Sequence, residues 1–133
     1  METTAQASWA TCCRETVLLV EDERELRRLA AILLREEGYT VLEAGSGAEA
    51  LQVSSQHQGP IHLLMTDIMM PGMGGIALAG RLIDPHPNLK VIYLSGYSAE
   101  DIGWQGAKEA GAIFVEKPFR IEVLLSKVRE VLL

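Results

Sequence analysis

The chain has 133 residues, a length that suits one domain, with 48% hydrophobic and 23% charged residues, the balance of a globular fold with a substantial core. Its net charge of −6 argues against a nucleic-acid surface, which needs clustered positive charge. The first residues lack the basic and apolar regions of a signal peptide, and no apolar run approaches the length of a membrane span.

Residues 1–15 are weakly patterned and read as an irregular leader or linker; residues 16–133 read as a single domain. The leader holds the two cysteines of the chain, Cys12 and Cys13. Adjacent cysteines are strained as a pair, and no further cysteine completes a metal set. They read as free thiols in a reducing, cytoplasmic compartment.

From there apolar runs alternate with helical patterns. The first run is "VLLVE" (17–21). Leu26, Leu29, Ala30 and Leu33 follow at helical spacing, and the helix is expected to stop at Gly38. The second run is "TVLEA" (40–44). Ser46 and Glu49 then form a capping-box pattern that opens a helix with Ala48, Leu51 and Val53 on its apolar side. The third run, "IHLLMT" (61–66), leads to Asp67 and the loop "IMMPGMGG". Ile76, Leu78, Ala79 and Leu82 mark a third helix, ended by "DPHP". The fourth run is "KVIYLS" (90–95). A helix over 98–111, capped by Ser98 and Asp101, is weakened by Gly103 and Gly106; its Trp104 suits either the core or a face that partners read. The fifth run is "AIFVEK" (112–117). Ile121, Leu124, Leu125, Val128 and Val131 form an amphipathic stripe in the C-terminal helix.

Five βα units in succession predict an α/β domain, a parallel sheet covered on both faces. In such doubly wound sheets ligands bind beyond the carboxyl ends of the strands, at the switch in strand order. The common five-strand order, 2-1-3-4-5, puts that switch between strands 1 and 3. Those strands end in Glu21-Asp22 and Asp67. Strand 4 ends in Ser95, and strand 5 in Glu116-Lys117-Pro118. Converging carboxylates repel one another unless a cation lies among them. Mg2+ suits such a set, being a hard cation that takes carboxylate and phosphate oxygens. Lys117 and Ser95 can serve the other oxygens of a phosphoryl group. Asp67 is then the best placed nucleophile for an aspartyl phosphate.

The four pieces "LLVEDE", "MTDIMMPGMGG", "YLSGY" and "FVEKPF" together resemble the receiver domain of bacterial two-component response regulators, over residues 16 to 132. Their wording is most similar to receivers attached to hybrid sensor histidine kinases. The resemblance implies a flavodoxin-like doubly wound (βα)5 fold. It implies a phosphorylation switch, not an enzyme acting on a metabolite, with only self-phosphorylation and autodephosphorylation chemistry. Asp67 would accept a phosphoryl group from a phosphohistidine on a histidine kinase or a histidine phosphotransfer domain. Glu21, Asp22, Asp67 and the backbone carbonyl of Met69 would hold Mg2+. Ser95 would move toward the phosphoryl group, Lys117 would pair with Asp67 or with phosphoryl oxygens, and Phe114 would be the switch aromatic. The Lys117–Pro118 peptide is expected to be cis. The stretch 98–111, strand 5 and the C-terminal helix would form the output face, with an output partner that the residues do not identify, no direct nucleic-acid contact and no membrane contact. Three positions depart from the commoner pattern: Glu21 for an Asp, Ser95 for a Thr, and Phe114 for an aromatic with a hydroxyl. Met69 and Tyr97, two residues beyond Asp67 and Ser95, stand at positions that the family uses to tune phosphate lifetime.

Blander readings exist for the same residues. Asp22 can be a helix N-cap with Glu25 at capping-box spacing, and Ser95 a plain strand-end hydroxyl. Met65, Met69, Met70 and Met73 read as packing, and His57, His62 and His86 have no ligand spacing. A haloacid dehalogenase-like hydrolase would need a second Asp where Met69 stands. A flavin binder would need a glycine- and hydroxyl-rich loop where "EDERE" stands. An unphosphorylated pseudo-receiver, acting by binding alone, remains the alternative.

Overall fold

Aliphatic runs become five parallel strands in a computed structural model that describes residues 15–95 and 113–132. The elements are β1 (Thr16–Val20), α1 (Arg24–Glu36), β2 (Thr40–Ala44), α2 (Gly47–Gln56), β3 (Leu63–Asp67), α3 (Gly75–Ile83), β4 (Lys90–Ser95), β5 (Ile113–Glu116) and α4 (Ile121–Leu132). The expectations for Cys12 and Cys13, for Tyr97 and for a helix over 98–111 with Trp104 lie outside the described residues. The sheet order is β2-β1-β3-β4-β5, and every neighbouring pair is parallel. The flavodoxin-like strand order 2-1-3-4-5 expected from the sequence is therefore the one observed.

Alternation along the strands builds two cores. Val17 and Leu19 of β1 face one side, with Leu63, Met65, Ile92 and Leu94, and are covered by Ala30, Ala31 and Leu34 of α1 and Leu124 and Val128 of α4. Leu18 and Val20 face the other side, with Leu64, Val91 and Tyr93, under Ala50 of α2 and Leu78, Ala79 and Leu82 of α3. All five residues of β1 are buried, which is why it reads as an unbroken apolar run rather than an alternating one.

Helix faces are rotated slightly from their sequence patterns. In α1 the buried residues are Ala30, Ala31 and Leu34, and Leu29 is 49% exposed. Small alanines let the helix lie close to the sheet, so the larger Leu29 and Ile32 are left on the outer flank. Ala48 of α2 and Ile76 of α3 are likewise exposed, at the first turns of their helices.

The end of α1 follows the sequence signal. Gly38 has φ 103°, its N–H donates to Arg35 O, and the Tyr39 N–H donates to Leu34 O, the paired bonds of a Schellman motif. At the start of α2 the Ser46 hydroxyl accepts from the Glu49 N–H at 3.1 Å. The reciprocal bond goes one residue further back than in a capping box: the Gly45 N–H donates to Glu49 Oε1 at 2.6 Å. Asp22 is not a cap. The N-cap of α1 is Glu23, with no side-chain capping bond.

Two histidines serve the end of the sheet opposite the strand carboxyl ends. His62 Nδ1 accepts the Thr16 N–H at 3.0 Å, and His86 Nδ1 accepts the Ile61 N–H at 3.3 Å.

Candidate functional site

The strand order brings the acids together. Glu21 directly follows β1, Asp67 is the last residue of β3, Ser95 is the last of β4, and Lys117 directly follows β5. Because β1 and β4 both flank β3, Asp67 sits between the ends of its neighbours. Asp67, Glu21 and Ser95 are all buried, Asp22 is exposed and Lys117 is half-buried. Carboxylate oxygens of Glu21, Asp22 and Asp67 lie within 4.8 Å of one another.

Lys117 ties the acids to β5. Its Nζ is 2.6 Å from Asp67 Oδ1 and 2.8 Å from Glu21 Oε1. Its backbone N–H donates to Ser95 O at 2.6 Å, which fixes the lysine against the end of β4. The Lys117–Pro118 peptide is cis. Glu21 Oε2 accepts the Glu23 N–H at 3.0 Å, so both oxygens of this buried carboxylate are engaged. Asp67 differs: its Oδ2 is buried and has no hydrogen-bond partner.

The charges respond to this crowding. Burial pushes the Asp67 carboxyl up to about 8; the adjacent Glu21 carboxyl pushes the same way, and the Lys117 ammonium pulls against both. Burial lowers the Lys117 ammonium, but hydrogen bonds and charge from Asp67 and Glu21 outweigh it and hold the lysine above its usual range. One ammonium thus faces two buried carboxylates and the exposed Asp22. An orphaned buried carboxylate oxygen amid two further acids is the donor set that a hard divalent cation takes, so the residues fit Mg2+.

The remaining expected residues are placed as follows. Met69 is 61% exposed in the β3–α3 loop, so it does not pack, whereas Met65 is fully buried and Met70 and Met73 lie against the second core. Phe114 is half-buried on β5, paired in register with Tyr93, and packs on the same core.

Sequence reasoning missed why the loop ends in Gly74-Gly75. A Cβ at Gly75 would collide with the Asp67 carbonyl oxygen, and one at Gly74 would lie 2.9 Å from Ile68 O. The start of α3 is thereby pressed against the backbone of Asp67, and the Gly75 N–H donates to Ile68 O at 2.9 Å. A doubled glycine at a helix start, where one cap would suffice, was the available signal.

Residues 17–129 match the response regulator receiver domain family. The chain belongs to that family. This receiver domain is 38% identical over 117 residues to the sensor kinase CckA of Brucella abortus (strain 2308), covering 88% of this chain but only 12% of that protein. It is 32% identical over 117 residues to the response regulator receiver protein CpdR of the same organism, covering 88% of this chain and 96% of CpdR. Among solved structures, the receiver domain of the hybrid histidine kinase CckA matches with a TM-score of 0.76 at 37% identity, over 89% of this chain and 99% of that one. The response regulator protein TrrA of Thermotoga maritima, in complex with Mg(2+)-BeF, matches with a TM-score of 0.70 at 32% identity, over 88% and 98%. Receiver domains are regulatory phosphoacceptor modules of two-component signalling, and those of hybrid kinases are fed by histidine kinases or phosphotransfer partners. Among the described residues no helix is long and apolar enough to cross a membrane.

Proposed function

We propose that this receiver domain is a phosphoacceptor switch in a cytoplasmic phosphorelay, and that Asp67 takes the phosphoryl group. The observation that carries the reading is the Asp67 carboxylate itself: one oxygen is paired to Lys117 at 2.6 Å, and the other is buried without a partner. A carboxylate oriented through one oxygen has the second left for attack.

In the proposed step an Asp67 oxygen forms a bond to phosphorus as the bond from phosphorus to the imidazole nitrogen of a donor phosphohistidine breaks. The imidazole leaves and takes up a proton. Glu21, Asp22, Asp67 and the Met69 carbonyl would hold Mg2+, which supplies charge compensation for the phosphoryl oxygens when bound. Lys117 offsets the negative charge that builds on the same oxygens, acting from a half-buried position where screening is reduced. Ser95, at the end of the adjacent strand, would donate its hydroxyl to the phosphoryl group, and Phe114 would repack as it does so. Slow hydrolysis of the acyl phosphate by water would reset the switch. The match to TrrA bound to Mg(2+)-BeF supports this reading, because beryllofluoride mimics a phosphoryl group on a carboxylate. The match to CckA supports a donor of the histidine kinase or phosphotransfer class.

The test is intact mass after incubation with acetyl phosphate and Mg2+, on the native chain and on Asp67→Asn. One added phosphoryl group, labile to base and absent from the variant, is the expected result. No gain in the native chain would overturn the reading in favour of a pseudo-receiver that acts by binding alone.

A further inference from the structure

The turn that carries Glu21 and Asp22 is clamped from β2, an edge strand that contributes no group to the acid cluster. The Glu21 N–H donates to Ala44 O at 3.1 Å. Its carbonyl oxygen accepts from Arg27 Nη1 at 2.9 Å, the guanidinium reaching back from α1 over its own first turn. Arg27 is held in turn by β2: its Nε is 3.5 Å from Glu43 Oε1, and both side chains are 18% exposed. Glu43 is fixed further by Arg35 Nη1 at 3.1 Å. Gly45 leaves the room, since a Cβ there would lie 3.0 Å from Arg27 Nη1. Arg27 Nε is nevertheless a buried donor with no hydrogen-bond partner. The guanidinium still spans the Glu21 carbonyl and the Glu43 carboxylate, and so ties the acid-bearing turn to β2.

We infer that Arg27 is a positioning residue for the Glu21–Asp22 acid pair, with Glu43 as its anchor. The inference rests on the reading of the acid cluster as a Mg2+ site. By holding the Glu21 carbonyl, Arg27 sets the direction in which the turn presents both acids to Asp67. Its charge alone works the other way: a cation near the cluster opposes Mg2+ through space. Weaker Mg2+ binding on loss of Arg27 therefore reports lost positioning rather than lost charge.

The test has two readouts: Mg2+ affinity by isothermal titration calorimetry, and hydrogen exchange of the Glu21 amide by NMR in metal-free protein. Arg27→Met is expected to bind Mg2+ about tenfold more weakly, as partners of metal ligands commonly do when removed, and to exchange the Glu21 amide faster. Arg27→Lys, which keeps a donor at the end of a long stem, is expected to recover most of both. In Glu43→Gln the lost negative charge also bears on Mg2+, so the amide exchange is the deciding readout there, and it is expected to quicken. Native Mg2+ affinity in folded Arg27→Met overturns the inference, whatever its thermal stability. Should Arg27→Met not fold, unchanged Glu21 exchange in Glu43→Gln overturns it. A native protein that binds no Mg2+ at all removes the receiver-site reading and this inference together, whereas native binding with unaffected variants removes Arg27 alone.

Discussion

Among the described residues, Asp67 carries the sharpest electrostatic signature. Its carboxyl titrates near 3.8 in an ordinary setting and is pushed up to about 8 here, first by burial and then by Glu21. Between those values the folded state holds a proton that the unfolded chain has lost. Metal-free stability therefore falls as pH rises from the lower value to the upper, then levels off. The proposed Mg2+ site needs the ionised carboxylate, so its affinity for the ion is expected to rise over the same window. Thermal melts between about pH 5 and pH 8, with and without Mg2+, check both signs. Asp67→Asn, neutral in both states, is expected to remove this part of the slope and to be the more stable of the two at the alkaline end. A native protein whose metal-free stability climbs with pH to the same extent as Asp67→Asn would refute the assignment. Lys117 shifts the same way in a more alkaline window: its ammonium is held above its ordinary value of 10.5, so its stabilisation is complete below that value and is lost as pH rises through the folded one.

At the scale of the element, α3 shows how a helix start can be dictated by a neighbouring strand. Gly75 lies directly against the Asp67 backbone, while Gly80, five residues on in the same helix, has nothing within 4 Å of where a Cβ would be. The two glycines are chemically identical and predict opposite outcomes. Gly75→Ala is expected to cost about 1–3 kcal/mol by overpacking and to slow phosphorylation by displacing Asp67. Gly80→Ala is expected to stabilise by about 0.4–1 kcal/mol, because alanine loses less backbone entropy in a helix. Urea denaturation of both variants settles the pair, and equal effects would refute the close approach at Gly75. In α1 the same logic acts through size. Alanines at 30 and 31 permit a close helix–sheet contact that Leu29 would prevent, and so Leu29 is on the outside.

For the whole molecule, the sheet separates two cores that share only its strands. Leu34 belongs to the core under α1 and α4, Leu64 to the core under α2 and α3, and both are fully buried. Leu34→Ala and Leu64→Ala are each expected to cost about 2–5 kcal/mol, measured by denaturant unfolding. Because the two sites lie on opposite faces, the double variant is expected to be additive within about 0.5 kcal/mol. A large coupling energy would mean that the sheet transmits packing strain between its faces. The ion pair between Arg129 of α4 and Glu37 at the end of α1, 2.9 Å and exposed, joins two helices of one face and adds little beyond that packing.

The sequence by itself determined the number of strands and their parallel pairing, because five aliphatic runs with both faces covered leave only a parallel sheet. It also determined which chemical groups stand at their ends, because acids, a hydroxyl and a lysine terminate the apolar runs at Glu21, Asp67, Ser95 and Lys117. Gly38 and Ser46 marked helix ends through backbone conformation and local hydrogen bonds, which short stretches of sequence encode. Only the tertiary structure decided which side chains meet. That Lys117 contacts Glu21 across 96 positions, that Asp67 keeps a buried oxygen without a partner, and that Gly75 leaves no room against Asp67 depend on strand order and close packing. The same holds for Arg27, a residue to which the sequence pattern assigns no role. Its contacts with Glu21 and Glu43 exist because β2 lies beside β1, a neighbour relation between distant segments that no local pattern records.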